Sequence, residues 1–306
     1  MELYDVIIIG AGPGGMTAAI YAQRSGLRTV MLQKAAPGGK MMTTWEVENY
    51  TGFGNITGFE LSEKMFNHTQ ELGVEYLYGD VTKIEDKGTF KEVHTATGET
   101  YQTKTVIIGS GTIPRSTKAP GEAELTGKGV SWCAVCDGAF FKDLEIAVIG
   151  GGNSAIEEAV FLSKTVKKIT VINILPTLQA DAVAIKEAEE TGKMDFLLGY
   201  ELLSFNGDKQ LTSVSLRNVK TKEEMDLPVE GAFVFIGQIP ESSFVKDLGI
   251  TNKWGNIEVN EKMETKVPGI YAAGDVIVKQ IRQVVTATAD GAIAAQNSLR
   301  YLETWE

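Results

Sequence analysis

One pattern, a strand, a glycine turn, a helix and a second strand, occurs twice in this chain, and few folds accommodate it. Tyr4 to Ile9 is a short apolar run ending in Gly10-Ala11-Gly12-Pro13-Gly14-Gly15. An alanine-rich helical stretch, Met16 to Arg24, follows, and then a second apolar strand, Thr29 to Leu32. In such a turn the first glycine lets the chain bend. The second lets backbone approach a pyrophosphate, and the third lets helix and strand pack closely. A diphosphate then sits at the helix N-terminus, against N–H groups that have no partner within the helix. The plan returns at Leu144 to Ile149, Gly150-Gly151-Gly152-Asn153-Ser154-Ala155, the helix Ile156 to Ser163 and the strand Lys168 to Ile172. The repeat predicts an α/β chain with two nucleotide-binding, Rossmann-like domains, and two such domains suggest two redox carriers.

Between the repeats lies Ser131-Trp132-Cys133-Ala134-Val135-Cys136-Asp137-Gly138, which holds both cysteines of the 306-residue chain. Two thiols at this spacing close a small disulfide ring, most easily at the start of a helix. There the free N–H groups and the helix dipole lower the first thiol's pKa. Asp137 follows directly and is placed to give or take the proton that thiol–disulfide exchange moves. A zinc site needs about four ligands, and the chain adds only His68 and His94 to the two cysteines; no metal is expected. With two cysteines the chain is no disulfide scaffold. The net charge of −11 excludes a basic nucleic-acid footprint and opposes binding to an anionic membrane. The N-terminus has no basic start or signal-length apolar run, and the longest apolar runs are strand-length, so a cytoplasmic location is expected.

The remaining segments are punctuated by glycine. An acidic residue usually ends the second strand of such a unit and holds a ribose hydroxyl; here that place is Gln33, whose amide also bonds hydroxyls. Gly38 to Tyr50 is a polar loop led by Gly38-Gly39-Lys40. Phe59 to Leu72 predicts an amphipathic helix. Thr89 to Gly98 and Glu99 to Thr103 predict a hairpin, and Lys104 to Ile108 a buried strand ending in Gly109-Ser110-Gly111. Ile270 to Ala273 predicts a strand ending in Gly274-Asp275, and Arg282 to Leu299 a final helix.

Taken in order, these marks resemble the low-molecular-weight flavin thioredoxin reductases along essentially the whole chain. They are Gly10 to Gly15, the loop Gly38 to Tyr50, Cys133 to Asp137, Gly150 to Ala155, Tyr271-Ala-Ala-Gly-Asp275 and Arg282-Gln283-Val284. The resemblance implies three-layer ββα domains of the two-dinucleotide-binding flavoprotein type. It implies a discontinuous FAD-binding domain, 1–112 and 241–306, around an inserted nicotinamide-type domain, 113–240, that carries the cysteines. The implied FAD site comprises Gly10, Gly12, Pro13, Gly14, Gly15, Gln33, Lys34, Gly39, Lys40, Asn49, Gly111, Gly274, Asp275, Arg282, Gln283 and Val284. Asp275 would hold the ribityl or pyrophosphate region, with Arg282 to Val284 near the flavin ring. Cys136 would take electrons from the flavin, Cys133 would attack the disulfide of thioredoxin, and Asp137 would be the acid/base. A homodimer is implied as well.

The chain departs from that family in its second nucleotide unit. Members that use NADPH carry a His-Arg-Arg run after the second strand and a further arginine four residues on, because a 2′-phosphate needs fixed, multi-donor cations. This chain has Asn173-Ile174-Leu175-Pro176-Thr177-Leu178-Gln179, and Asn153 replaces the usual acidic residue of the glycine motif. These losses match the ferredoxin-dependent branch of the resemblance, so ferredoxin is the expected electron donor. The alternatives are a reductase driven by NADH or NADPH through an unusual site, and a flavoprotein redox sensor without catalysis. Ferredoxins are acidic, so docking would need a local basic patch drawn from Arg115, Lys118, Lys128 and Lys142, or from Lys164, Lys167 and Lys168. Lys40 stands where the family has glutamine, and either tunes the flavin, meets a partner or points to solvent. Trp305 either covers the flavin or frays with the terminus.

Overall fold

Both glycine-turn units form in the computed structural model, which describes residues 3–44 and 46–305. Met1, Glu2 and Trp45 of the 38–50 loop lie outside the described residues. The first unit comprises strand Leu3–Ile9 (β1), helix Pro13–Arg24 (α1) and strand Thr29–Gln33 (β2). The second comprises strand Glu145–Ile149 (β3), helix Asn153–Ser163 (α2) and strand Lys168–Asn173 (β4). The chain divides into two compact bodies, Met1–Ile113 with Ile239–Glu306, and Pro114–Gln238.

In the first body β1 lies between β2 and strand Thr100–Ile108, parallel to both. Glu75–Tyr78 extends the sheet beyond β2, and Ile270–Ala272 pairs parallel with Thr100–Ile108. The predicted hairpin end and buried strand around 99–108 are one continuous strand. Its first half pairs antiparallel with Lys91–Thr95 and its second half parallel with β1. Pleating sends alternate side chains to opposite faces. Val6 and Ile8 pack with Met16, Ala18 and Ala294 on the helix side; Ile7 and Ile9 pack with Val93, Ile108 and Phe244 on the other. Each fully buried Val or Ile contributes about 1.5–3 kcal/mol, which is why a strand covered on both faces reads as an unbroken apolar run.

The final helix, Val284–Glu303 (α3), crosses α1 at very short range. A Cβ on Gly291 would come within 2.1 Å of the Gly14 carbonyl oxygen and 3.1 Å of the Ala18 nitrogen. Only glycine permits that approach, so the two ends of the chain are held together by small residues.

The second body has a five-stranded parallel sheet in the order Val130–Ser131, Gly231–Val234, β3, β4, Met194–Leu198. Ile146 and Val148 face α2, packing with Ile156 and Ala159. Ala147 and Ile149 face the antiparallel sheet of Tyr200–Asn206, Ser213–Asn218 and Glu224–Pro228, packing with Val214 and Leu216. Helices, parallel sheet and antiparallel sheet make the three-layer ββα arrangement of a Rossmann-like domain. Among the described residues no helix is long and apolar enough to cross a membrane.

Candidate functional site

The first glycine turn is built for a ligand that comes against backbone. Gly10 has φ +102°, and a Cβ there would meet the Gly109 carbonyl oxygen at 2.4 Å. Gly15 is tighter still, with its Cβ direction 1.9 Å from the Gly10 oxygen. A Cβ on Gly12, by contrast, would meet nothing within 4 Å, so it would project into open space at the N-terminus of α1, which carries no side-chain cap. Pro13 occupies the first turn of that helix, where a missing N–H costs nothing. The Gln33 Oε1 accepts the Ala11 N–H at 3.1 Å, so this side chain fixes the turn itself.

Other predicted FAD residues gather around the same turn within the first body. Gly39 comes close to Gly12, its Cβ direction 3.4 Å from the Gly12 Cα. The exposed Lys40 side chain pairs its ammonium with the Asp275 carboxylate. Asn49 donates to the Gln283 Oε1 at 3.2 Å, and Val284 is the first residue of α3. Lys34 pairs with Glu241, whose N–H donates to the Gly111 oxygen at 3.0 Å. Gly14 lies against Gly274 and Ala287. Arg282 is exposed.

Two groups here escape a reading of sequence alone. Asp290 is 12% exposed; it accepts the Gly274 N–H at 3.0 Å and pairs with Lys279, which is 11% exposed. Its signal was available as an acidic residue on the alanine- and glycine-rich face of α3. Glu241 gave none, because its partners Lys34 and Gly111 are far away in sequence. Trp305 is docked and does not fray. Its indole N–H donates to the Thr89 oxygen at 2.9 Å, and the Lys104 ammonium lies 4.6 Å from the ring centroid.

Cys133 and Cys136 are joined in a disulfide at the start of a one-turn helix, Ala134–Asp137. Cys133 is the N-cap, and its Sγ accepts the Cys136 N–H at 3.1 Å. Cys133 is half-buried and Cys136 exposed. Ser131, not singled out from sequence, ties the acid to the pair. Its hydroxyl donates to the Asp137 carboxylate at 2.6 Å and accepts the Cys133 N–H at 3.0 Å.

The second glycine turn keeps the plan of the first. Gly150 has φ +138°, with its Cβ direction 2.3 Å from the Phe235 oxygen, and a Cβ on Gly152 would meet nothing within 4 Å. α2 also starts without a side-chain cap. The segment after β4 folds back on the turn: Gln179 donates its N–H to the Gly151 oxygen at 2.7 Å, and the buried Asn173 amide donates to the Thr177 oxygen at 2.8 Å. Glu158 on α2 is half-buried, and burial together with Glu157 pushes its carboxyl up to about 7.

Residues 4–291 match the family Pyridine nucleotide-disulphide oxidoreductase. The chain belongs to this family. It is 46% identical over 303 residues to a thioredoxin reductase of Bacillus subtilis, covering 99% of this chain and 96% of the relative. It is 44% identical to the thioredoxin reductase of Lactococcus lactis in its FR conformation, at a TM-score of 0.95 with 98% and 99% of the two chains covered. The cofactor is FAD, and the first turn fits it: a Cβ at Gly12 would fill the open space that a pyrophosphate needs.

These relatives overturn ferredoxin as the electron donor and the assignment to the ferredoxin-dependent branch. A ferredoxin-flavin thioredoxin reductase of Clostridium acetobutylicum is only 28% identical, at a TM-score of 0.55 over 99% of each chain. The geometry gives the reason. Losing cations between 173 and 179 removes a phosphate clamp, but the glycine turn, its open face and the uncapped helix all remain. The lysines offered as a docking patch are partly spent as well, since Lys167 pairs with Glu145 and Lys168 with Asp195.

Proposed function

We propose that this protein is a nicotinamide-driven thioredoxin reductase. The reading rests above all on the Cys133–Cys136 disulfide, with its attached acid, in a chain that builds two nucleotide turns. The first body holds FAD and the second takes the nicotinamide and carries the redox pair. The turn Gly10 to Gly15 would hold FAD, which when bound would supply the two-electron exchange between a reduced nicotinamide and the Cys133–Cys136 disulfide.

The protein's own residues handle the thiols. After reduction, the Cys136 N–H aimed at Sγ and the start of the short helix favour the thiolate on Cys133. That thiolate attacks one sulfur of the thioredoxin disulfide and forms a mixed disulfide. Cys136 then attacks Cys133 Sγ, releases thioredoxin as a dithiol and restores the internal disulfide. Asp137, held by Ser131, supplies and collects the proton. The protein works in the cytoplasm, as a homodimer.

Anaerobic mixing with NADH and NADPH tests this reading. At least one should bleach the flavin band, and thioredoxin should then be reduced catalytically. A flavin that dithionite reduces but neither nicotinamide touches would refute it.

A further inference from the structure

The second glycine turn also carries a choice between the two nicotinamides. A ribose diol is held well by a carboxylate or an amide, whereas a 2′-phosphate needs cations. From Asn173 to Ile185 the chain has no lysine or arginine, and the next cation, Lys186, is exposed and 3.6 Å from Glu190. The turn has a carboxylate instead. Asp181 and Asn153, the first residue of α2, form a reciprocal pair: Asn153 Nδ2 donates to Asp181 Oδ2, and the Asp181 N–H donates to Asn153 Oδ1, both at 2.7 Å. Gln179, two residues before Asp181, is anchored on the Gly151 oxygen. Asp181 therefore stands at the rim of the open space beside Gly152, with one carboxylate oxygen left over from the Asn153 pair.

Further negative charge surrounds it. Burial, Asp181 and Glu187 together raise the Glu157 carboxyl above its usual range, which places those three acids close enough to repel one another. Ile174 and Leu175, 54% and 48% exposed, present apolar surface on the same segment.

We propose that this turn takes the unphosphorylated adenosine ribose of NADH and rejects the 2′-phosphate of NADPH, with Asp181 as the selecting residue. The inference rests on the nicotinamide reading above. A phosphate dianion would lie near Asp181 with no lysine or arginine on the 173–185 segment to meet it, whereas a 2′-hydroxyl donates to that carboxylate.

The test uses the FAD-loaded enzyme. NADH should exceed NADPH in kcat/KM by roughly tenfold or more, about 1.4 kcal/mol or above. Calorimetry should show ADP-ribose binding more tightly than 2′-phospho-ADP-ribose by a similar factor. Because the penalty is repulsion, raising salt should narrow the gap; a cation clamp would show the opposite sign. Asp181→Asn should raise kcat/KM for NADPH a few-fold, and the exposed double change Ile174→Arg with Leu175→Arg by roughly tenfold. FAD content reports that each variant is folded. A preference for NADPH, with 2′-phospho-ADP-ribose affinity falling as salt rises, would overturn the inference and leave the nicotinamide reading standing. An unchanged NADH-to-NADPH ratio in Asp181→Asn would remove Asp181 as the selector. If neither nicotinamide reduces the flavin and ADP-ribose does not bind, both readings fall together.

Discussion

The two glycine turns follow one plan and differ in what packs against them. Gly10, Gly12 and Gly15 correspond to Gly150, Gly152 and Ala155; Gly14 and Ala18 correspond to Ser154 and Glu158. Around the first turn α3 presses from outside, with Gly291 against the Gly14 oxygen and the Ala18 nitrogen. A Cβ at Gly14, Gly15 or Gly291 there meets backbone. At the second turn Ser154 is exposed, Glu158 is half-buried, and Ala155 carries a methyl group that Gly15 has no room for. Equal backbone plans thus tolerate different side chains, according to how closely backbone from other elements approaches them.

The largest expected effect separates the two bodies by chemistry. Cys133→Ser removes from the second body the thiol proposed to attack thioredoxin and leaves every residue of the first body unchanged. Thioredoxin reduction should fall by roughly 10³-fold or more, as when a nucleophile is lost, while FAD stays bound with an unchanged absorption ratio to protein. Residual turnover at a tenth of wild type would dismiss Cys133 as the nucleophile.

Next comes the tightest contact of the first turn. Gly15→Ala would set a methyl 1.9 Å from the Gly10 oxygen, where neither partner is a flexible side chain. Overpacking of this kind costs about 1–3 kcal/mol or more, and it distorts the turn proposed to meet the pyrophosphate. Purified Gly15→Ala should retain much less FAD than wild type, with a lower melting temperature. Full FAD occupancy would show that helix and strand separate more easily than the contact suggests.

Both turns were legible in sequence because glycine has no substitute where a Cβ would meet backbone, as at Gly10, Gly15 and Gly150. The parallel strands were legible as apolar runs, and the cysteines by spacing alone. Partners made by tertiary folding were not: Glu241 on Lys34, Asp290 on Gly274, and Ser131 between Cys133 and Asp137. The ferredoxin expectation failed because missing arginines report on one phosphate, not on whether a turn can still seat a dinucleotide. Asp181 lies eight residues past the end of β4 and comes to the turn because Gln179 bonds back to Gly151 and Asp181 itself pairs with Asn153.

Glu158 gives a smaller, pH-dependent contrast with Ala18. Its carboxyl is raised to about 7 by burial and by Glu157, against an ordinary 4.5. The folded state therefore keeps a proton that the unfolded chain has already released. Stability is highest below the unfolded pKa and falls as pH rises toward 7, then levels off. Partial exposure limits the loss to about 2 kcal/mol. Glu158→Gln should abolish that fall, so urea unfolding of the two proteins should diverge between pH 5 and 8, with the variant gaining as pH rises. Parallel curves would mean that the carboxyl titrates normally.

The smallest expected effect is the reciprocal of the Gly15 change. Ala155→Gly gives the second turn the third glycine of the first. The methyl it removes is fully buried, in the cluster of Ile146, Val148 and Ile156. The loss combines one buried methyl with the extra backbone entropy of glycine, about 1–2 kcal/mol together. No backbone has to move to accept it, so the KM for nicotinamide should change by less than about twofold, since uniform binding is untouched. FAD content should stay at wild type, because the turn proposed to hold it lies in the other body. Measuring both properties in Gly15→Ala and Ala155→Gly side by side makes the comparison quantitative. If Ala155→Gly harmed nicotinamide binding as severely as Gly15→Ala harms FAD binding, the second turn would be as tightly constrained as the first, and the difference drawn between them would be wrong.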